Sequence, residues 1–308
     1  MKFLSIFLHI LIGLLFIFSG YSKIILIEPF EYKLVEAGIS WEFSLLLARL
    51  LIGLEWALGI LLLFYWNFNK KVWMATLAIL LIFSLQLLVQ IAAGDTSNCG
   101  CFGELIPFTP AQALLKNLGL FILLGLAWYS FRPMQFKKQR LAKILSLIVA
   151  VVVLLLPFIL NPMNYATSSR MYERNDRFKL GLDTLYNQTE LPIPPVELRN
   201  GKHFVGFLSL GCSHCKVAAT KIGIIQKQNP NLPIFIVYNG DPTHLDNFLT
   251  ETKSESVPHY LLPNRKIFFS MAGGSVPTIY WVKNDSVYTQ STHLDLKKEQ
   301  MEDWVEEK

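Results

Sequence analysis

The chain has 308 residues, of which 52% are hydrophobic and only 17% are charged, and its mean hydropathy is +0.38. This balance excludes an ordinary soluble protein of that length, so much of the chain must lie in lipid. The net charge of +5 does not indicate nucleic-acid binding, because the basic residues lie beside apolar runs and form no patch with interleaved aromatic residues.

Apolar runs long enough to cross a bilayer, which takes about 20 residues, occur repeatedly in the first half of the chain. The first run resembles the apolar region of a signal peptide, but Ser19–Lys23 is a poor cleavage site and further spans follow. We therefore expect this run to be retained as a signal anchor. The five predicted transmembrane helices are Phe3–Tyr21, Phe43–Trp66, Val72–Ala93, Ala111–Phe131 and Leu141–Leu160.

The distribution of Lys and Arg among the short loops predicts the orientation of these helices. Lys70 and Lys71 follow the second span, and five basic residues lie in Arg132–Lys143 after the fourth span, whereas the loop 94–110 has none. The basic loops are predicted to be cytoplasmic. With five spans, the N-terminus is then cytoplasmic, and the loop 94–110 and everything after Asn161 lie on the periplasmic side of the cell (inner) membrane.

Charged side chains inside a span are costly and usually functional. Glu55 lies about 18 Å into the second span at 1.5 Å per residue, so we expect it to face the bundle interior. A proton relay and a buried helix–helix hydrogen bond are equally consistent with it. Arg49 is nearer the outer end and is predicted to snorkel to the interface. Polar packing, not ligand binding, is predicted for Gln86, Gln90 and Asn117.

The loop between the third and fourth spans carries the first of two cysteine pairs, Cys99 and Cys101, separated by one glycine. A disulfide between them would close a small, strained ring, and strained disulfides are oxidising. This pattern favours a redox carrier, beside which Glu55 would handle protons. The alternatives are that the pair ligates a metal or that it only fixes the conformation of the loop.

After the last span the composition becomes polar and ends in a proline-rich turn, so the segment 162–195 is predicted to be an extracytoplasmic tether. From Val196 onward, short β-rich runs alternate with amphipathic stretches, which predicts an α/β domain.

The second cysteine pair, Cys212 and Cys215, follows a predicted strand over His203–Leu210 and opens a predicted helix that runs to Gln228. A helix N-terminus stabilises a thiolate, so Cys212 is predicted to be the nucleophile with a lowered pKa, and Cys215 the resolving thiol. His214, when protonated, would make the disulfide more oxidising. The alternatives are half of a zinc site, for which a second ligand pair at zinc spacing is missing, and a structural disulfide.

The remainder of the domain shows a strand at Ile234–Tyr238, a helix at His244–Thr252, and a strand that begins with Val276 and Pro277. A hairpin turn at Lys283–Ser286 and a helix at Asp295–Glu306 follow. His259 and His293 are predicted to be surface residues without a role.

This order of elements over Val196–Lys308 resembles the thioredoxin fold. The resemblance implies that Pro277 is a cis-proline packed against the Cys212–Cys215 disulfide and that the Val276 backbone pairs with an extended substrate peptide. Cys-x-His-Cys, together with Val before the proline, resembles the oxidising DsbA-type proteins more than cytosolic thioredoxin.

Residues 1–131 carry Gly13, Phe16, Ser19-Gly20 and Lys23 in span one, Glu55-Trp56-Ala57-Leu58-Gly59 in span two, and the loop Asn98-Cys99-Gly100-Cys101-Phe102-Gly103. Together they resemble the DoxX/MauE group of four-helix membrane proteins. MauE is associated with a thioredoxin-like partner, MauD, so the chain resembles those two parts joined. The topology also resembles vitamin K epoxide reductase homologues with a fused thioredoxin domain, but this chain has no Cys-x-x-Cys inside a helix, which puts a transferred quinone mechanism in doubt.

We therefore predict a membrane all-α four-helix bundle with one extra transmembrane helix, followed by an α/β thioredoxin-like domain. The predicted activity is a membrane-bound thiol–disulfide oxidoreductase that relays electrons between extracytoplasmic cysteine-containing proteins, Cys212/Cys215 and Cys99/Cys101, with oxidation the favoured direction. In that direction a lipid-soluble acceptor such as a quinone would close the cycle. We expect no covalently bound cofactor, no metal site and no nucleic-acid partner. The alternative is a non-enzymatic membrane scaffold or chaperone module that assists a periplasmic client.

Overall fold

The computed structural model describes residues 2–65, 69–103, 105–131, 139–163, 172–187 and 192–307. The chain divides after Met163 into two compact units, a helical one and an α/β one. The basic residues Arg132, Lys137 and Lys138, on which part of the orientation prediction depends, lie outside the described residues.

The helical unit contains the five long apolar helices that the sequence predicts. Each has enough apolar length to cross a bilayer, and the chain is accordingly a multi-pass membrane protein. A short helix between the first two spans was not predicted, because its nine residues include three glutamates and one lysine. The helices are α1 (Lys2–Ile25), α2 (Glu28–Glu36), α3 (Trp41–Leu63), α4 (Lys70–Ala92), α5 (Pro110–Ser130) and α6 (Gln139–Leu160).

One apolar core is shared by α1, α3, α4 and α5, and Ile12, Leu62 and Leu124 are among its most deeply buried members. Helix α6 packs against α3 instead, at a position where Gly53 is required. A Cβ at Gly53 would lie 2.1 Å from the carbonyl oxygen of Leu154, so only a glycine lets the two backbones approach this closely.

The α/β unit is built on a six-stranded sheet with the order β1-β6-β5-β2-β3-β4. Strands β2, β3 and β4 are parallel, whereas β5, β6 and β1 run antiparallel to their neighbours. Fully buried side chains such as Phe207, Val237 and Tyr280 form its core. The elements are β1 (Tyr172–Lys179), α7 (Asp183–Tyr186), β2 (Lys202–Ser209), α8 (Ser213–Gln228), β3 (Ile234–Asn239), α9 (Leu245–Thr252), β4 (His259–Leu261), α10 (Arg265–Ala272), β5 (Thr278–Lys283), β6 (Ser286–Ser291) and α11 (Lys298–Glu306).

The predicted strands and helices around the dithiol are confirmed within one or two residues, and the central order β3-β2-β5-β6 is that of the predicted thioredoxin fold. Asn284 and Asp285 adopt positive φ values of 53° and 61°, as a tight hairpin turn between β5 and β6 requires. The elements β4 and α10 were not predicted, and α11 begins at Lys298 and not at Asp295.

The prediction of a tether over 162–195 is wrong for residues 172–187. Strand β1 pairs with β6 at the sheet edge, and Leu182 and Leu185 after it are buried in the core of the α/β unit. The sequence conceals this strand because its eight residues, Tyr-Glu-Arg-Asn-Asp-Arg-Phe-Lys, are almost all polar, and an edge strand is held mainly by backbone hydrogen bonds. The rest of the predicted tether at 164–171 and 188–191 lies outside the described residues.

Candidate active site: two cysteine pairs

The Cys212 sulfur occupies the N-cap position of α8 and accepts a hydrogen bond from the backbone N–H of Cys215 at 3.3 Å. An N-cap side chain satisfies one of the orphan donors at the helix start, and here that acceptor is a sulfur atom. The helix dipole at this end favours a negative charge on the capping atom. Both cysteines are free thiols in the structure.

The two thiols of this pair differ in access. Cys215 is fully buried, with 0% of its surface exposed, whereas Cys212 is partly exposed. Burial raises the pKa of the Cys215 thiol, and the hydrogen bond to Cys212 raises it further. An incoming sulfur can therefore reach Cys212 but not Cys215, which is the division into attacking and resolving thiols that the sequence predicts.

Val276 and Pro277 lie just before β5, at the end of the sheet where β2 leads into the Cys212/Cys215 pair. Strands β2 and β5 are antiparallel with Phe207 opposite Thr278, so the end of β2 that leads to Cys212 meets the start of β5 that follows Pro277. The Val276–Pro277 peptide bond is cis, as predicted. Both residues are partly exposed at this end of the sheet.

Two histidines of this unit differ in exposure. His214 is exposed in the first turn of α8, between the two cysteines. His293 is buried, so the prediction of a surface residue is wrong. The reason is tertiary: His293 follows strand β6, and Lys221 from α8 donates a hydrogen bond to its backbone carbonyl at 2.6 Å. Burial, and then the Lys221 charge, lower the pKa of His293 to about 4.

The second pair lies in the loop that joins α4 to α5 (residues 93–109), which we call the cysteine loop. Its Cys99 is buried, with 8% of its surface exposed, and Cys101 is partly buried. The backbone N–H of Cys101 points to the Cys99 sulfur at 3.4 Å. Cys99 is fixed by a hydrogen bond from its N–H to the Phe108 carbonyl, 2.8 Å long. Within the described part of the chain, no group of three or more His, Cys, Asp or Glu residues could complete a metal site.

The cysteine loop is anchored on α1 through Gly103 and Ser19. A Cβ at Gly103 would lie 2.4 Å from the Ser22 carbonyl oxygen, so the loop approaches α1 as closely as a glycine allows. Gly103 also has a φ of +56°, a conformation that favours glycine. The Ser19 hydroxyl lies 3.1 Å from the carbonyl oxygen of Cys101, which ties the backbone of the second cysteine to the first helix.

A buried ion pair lies beneath this anchor. Lys23 donates hydrogen bonds to both carboxylate oxygens of Glu55, at 2.8 and 2.9 Å, and to the Ser19 hydroxyl at 2.7 Å. Glu55 faces the interior of the helical unit, as predicted, and is connected through Ser19 to the Cys101 carbonyl.

The electrostatics of the loop distinguish its two thiols. A hydrogen bond from the Cys99 thiol, together with the positive charges of Lys116 and Lys23, lowers the pKa of Cys101 to about 7. The same hydrogen bond, followed by burial, raises the pKa of Cys99. Cys101 is therefore the thiol of this pair that is ready to act as a thiolate near neutral pH.

Both cysteines of the loop line a cavity of about 430 Å³ inside the helical unit. Its walls are mostly apolar. Its polar lining includes Lys23, Glu55 and Lys116, whose charges act on Cys101, and also Asn117, Gln86 and Gln90. A size of 300–1,000 Å³ with a few convergent polar groups is typical of a ligand site. The Asn117 amide also donates to the Ser84 hydroxyl at 3.1 Å, in keeping with the predicted packing role.

Arg49 does not snorkel, so that prediction is wrong. Its guanidinium is buried and lies 2.6 Å from a carboxylate oxygen of Glu31. It also donates to the Asn161 carbonyl at 2.7 Å. Helix α2, which was not predicted, and the end of α6 supply these partners. Arg49 therefore connects α2, α3 and the end of α6, and its side chain does not extend to water.

Residues 1–130 match the family of the methylamine utilisation protein MauE. The chain is 27% identical to Protein TlpB of Flavobacterium psychrophilum over 335 aligned positions, which cover 93% of this chain and 90% of that protein.

Two solved structures are similar to part of the chain. One is the thioredoxin domain of a thiol-disulfide oxidoreductase from Bacteroides vulgatus, with 19% identity and a TM-score of 0.31, covering 35% of this chain and 81% of that one. The other is a secreted Mycobacterium tuberculosis disulfide oxidoreductase homologous to E. coli DsbE, with 11% identity and a TM-score of 0.29, covering 34% and 80%. The strand order of the sheet, β3-β2-β5-β6 at its centre, is by itself that of a thioredoxin-like fold.

One residue that lines the cavity, Lys116, was not predicted from the sequence. It lies within the apolar helix α5, with its ammonium 4.5 Å from the centre of the Phe102 ring. A lone cation inside a span is costly and hence a signal of function, so the sequence did contain a pointer to it.

Proposed function

We propose that the protein is a membrane-bound thiol–disulfide oxidoreductase that acts on cysteines of extracytoplasmic proteins. The observation that carries the proposal is the accessible Cys212 sulfur at the start of α8, next to the buried Cys215. A purely structural disulfide has no need for one exposed sulfur at a helix N-terminus. The Val276 backbone, beside Pro277 at the same end of the sheet, is proposed to pair with the client peptide.

In the proposed oxidising direction, a client thiolate attacks the Cys212 sulfur of the Cys212–Cys215 disulfide. A mixed disulfide forms, and Cys215 leaves and takes up a proton, which its raised pKa favours. The second client thiol then attacks the client sulfur of the mixed disulfide and releases Cys212. The client has lost two electrons and two protons, and the Cys212/Cys215 pair has gained them.

The Cys99/Cys101 pair is proposed to take these electrons in turn. Cys212 attacks the disulfide of the loop, and Cys215 resolves the mixed disulfide, which leaves both loop cysteines as thiols. Only about eleven residues connect Leu160 to Tyr172, so the two pairs stay at high effective concentration on one chain. His214 is proposed to keep the dithiol oxidising, and Glu55 to exchange protons near the loop.

The proposal requires that both pairs share the oxidising compartment. We propose that the four helices α1, α3, α4 and α5 form a MauE-type bundle in the inner membrane, with the N-terminus in the cytoplasm and the α/β unit in the periplasm. A reporter enzyme fused after Lys308 should be active only outside the cytoplasm, and one fused after Gln135 only inside. The reverse pattern would remove the basis of the relay.

The test of the activity is to trap its intermediates in cells. Cys215→Ala should accumulate disulfide adducts between Cys212 and client proteins, because the resolving thiol is gone. The same variant should accumulate a disulfide between Cys212 and a loop cysteine, because Cys215 is no longer present to resolve that bridge. Peptide mapping without reducing agent reads out both.

The matched control is Cys212→Ala, which should abolish the client adducts. A scaffold or chaperone module would instead mature its client normally when Cys212 and Cys215 are both alanine. If the wild type cycles but no peptide ever joins the loop to the α/β unit, the internal relay is wrong and a separate partner accepts the electrons.

A further inference from the structure

The cavity beside the cysteine loop is open on the side of α4. Ile82 contributes to the cavity wall, yet 59% of its surface is exposed, and it lies in the middle of a membrane-spanning helix. Leu47 and Leu51 of α3 also line the cavity. Surface exposed at this depth contacts lipid and not water, so a ligand that enters here arrives from the bilayer.

The part of the same cavity that lies beside the cysteine loop is polar and reactive. It holds Cys101, the thiol with the lower pKa of the loop pair, and the ammonium groups of Lys116 and Lys23. The Lys23 ammonium forms an ion pair with Glu55, whereas the Lys116 ammonium makes a cation–π contact with the Phe102 ring. A ligand with its head in this part would meet a sulfur and a cationic donor, while its body would lie among leucine, isoleucine and phenylalanine side chains.

The proposed relay leaves two thiols in the loop that must be reoxidised. Closing the Cys99–Cys101 disulfide releases two electrons and two protons. An apolar molecule that takes up two electrons and two protons balances this step when its two carbonyl oxygens become hydroxyls. Membrane quinones belong to this chemical class.

We propose that this cavity binds a lipid-soluble quinone, which enters between α3 and α4, receives a hydrogen bond from Lys116 to one carbonyl oxygen, and is reduced by Cys101 and Cys99. The inference rests on the proposed function, because it supplies the acceptor for the second dithiol. Lys116 acts here as a group that touches the reacting molecule.

The experiment uses the full-length chain with Cys212 and Cys215 both replaced by Ala, reconstituted in lipid nanodiscs and reduced beforehand. Decylubiquinone is the probe, and its fully substituted ring prevents simple thiol addition. A single turnover is followed by quinol absorbance and by the loss of two thiols. Because the first dithiol is absent, this measurement does not depend on the exchange reaction, which is tested separately by the trapping experiment.

Lys116→Met should slow quinol formation about tenfold or more, because a hydrogen bond to a charged donor is lost, and Lys116→Arg should retain part of the rate. Ile82→Trp should fill the opening and raise the quinone concentration needed for half-maximal rate. Ile122→Trp is the matched control, since Ile122 is 65% exposed on α5 and does not line the cavity. It should leave the rate unchanged.

Two results would overturn the proposal. One is reduced protein that keeps both loop thiols in the presence of decylubiquinone, which would mean that the cavity holds only a lipid chain. The other is an equal effect of Ile82→Trp and Ile122→Trp, which would show that entry does not occur beside α4. Quinone reduction without any trapped disulfide between the loop and the α/β unit would uphold the cavity site and sink the relay.

Discussion

Lys23 and Glu55 form a buried ion pair, with both carboxylate oxygens within 2.9 Å of the ammonium nitrogen. The pair lines the cavity next to the cysteine loop, and it joins α1 to α3. Breaking a buried pair leaves one uncompensated charge, whereas removing both charges does not.

We therefore expect Glu55→Gln to lower the free energy of unfolding by about 3–5 kcal/mol, and the double variant Lys23→Met with Glu55→Leu to lower it much less. Unfolding in mixed micelles, followed by tryptophan fluorescence, measures both. Glu36→Gln is the control, because its 3.3 Å contact with Lys33 is partly solvated and should matter by under ~1 kcal/mol. Equal losses in the single and double variants would contradict this account of the pair.

The reactivity of Cys101 should follow pH. With its pKa lowered to about 7, its thiolate fraction rises as pH increases through 7, so its alkylation rate by iodoacetamide should be half-maximal there. Cys99, with its raised pKa, should remain slow across the same range. Mass spectrometry of the reduced protein resolves the two sites.

Lys116→Met should move the Cys101 alkylation curve to higher pH, since one of the charges that stabilise the thiolate is lost. Lys70→Met, at an exposed position at the start of α4, should not move it. An unshifted curve in the Lys116 variant would show that this cation does not act on the sulfur.

Gly103 and Gly94, both in the cysteine loop, offer a matched pair of substitutions. Both have positive φ, +56° and +73°, so alanine costs about 1 kcal/mol at each. Only at Gly103 would the added Cβ meet the Ser22 carbonyl, 2.4 Å away, whereas nothing lies within 4 Å at Gly94. Gly103→Ala should therefore push the loop off α1.

The readout for this pair is the exposure of the buried Cys99. Its alkylation under mild denaturant should become faster in Gly103→Ala and should stay near the wild-type rate in Gly94→Ala. Equal rates in the two variants would mean that backbone strain alone, and not the contact with α1, sets the position of the loop.

Burial of His293 makes the stability of the α/β unit depend on pH. Its pKa is lowered to about 4 in the folded state from 6.5, so the unfolded chain binds a proton more readily between these values. The contribution is fully present above pH 6.5 and is lost as pH falls toward 4, by up to about 3 kcal/mol.

Hydrogen exchange of the β2 and β5 amides in the full-length protein measures this loss. His293→Asn should flatten the pH dependence, and Lys221→Met should reduce it, because the Lys221 charge helps to lower the pKa of His293. A steep acid loss that persists in His293→Asn would assign the effect to other groups.

Three features could be predicted from the amino-acid sequence: the five spans, the place of Cys212 at a strand-to-helix junction, and the inward position of Glu55. Each follows from a local property. Membrane insertion depends on the length and hydropathy of one run, and a helix N-terminus depends on neighbouring residues. The thioredoxin-like order was visible for the same reason, since each of its central strands carries a strong apolar signal of its own.

Contacts between residues far apart in the chain could not be predicted in this way. The polar residues Tyr172–Lys179 form a strand because their backbone pairs with β6. Arg49 is buried because α2 and the end of α6 supply its ion-pair and hydrogen-bond partners. Lys116 lies beside Cys101 only because α5 packs on α1 beneath the cysteine loop. Such contacts depend on helices and strands meeting in space, and no periodicity within a single segment encodes them.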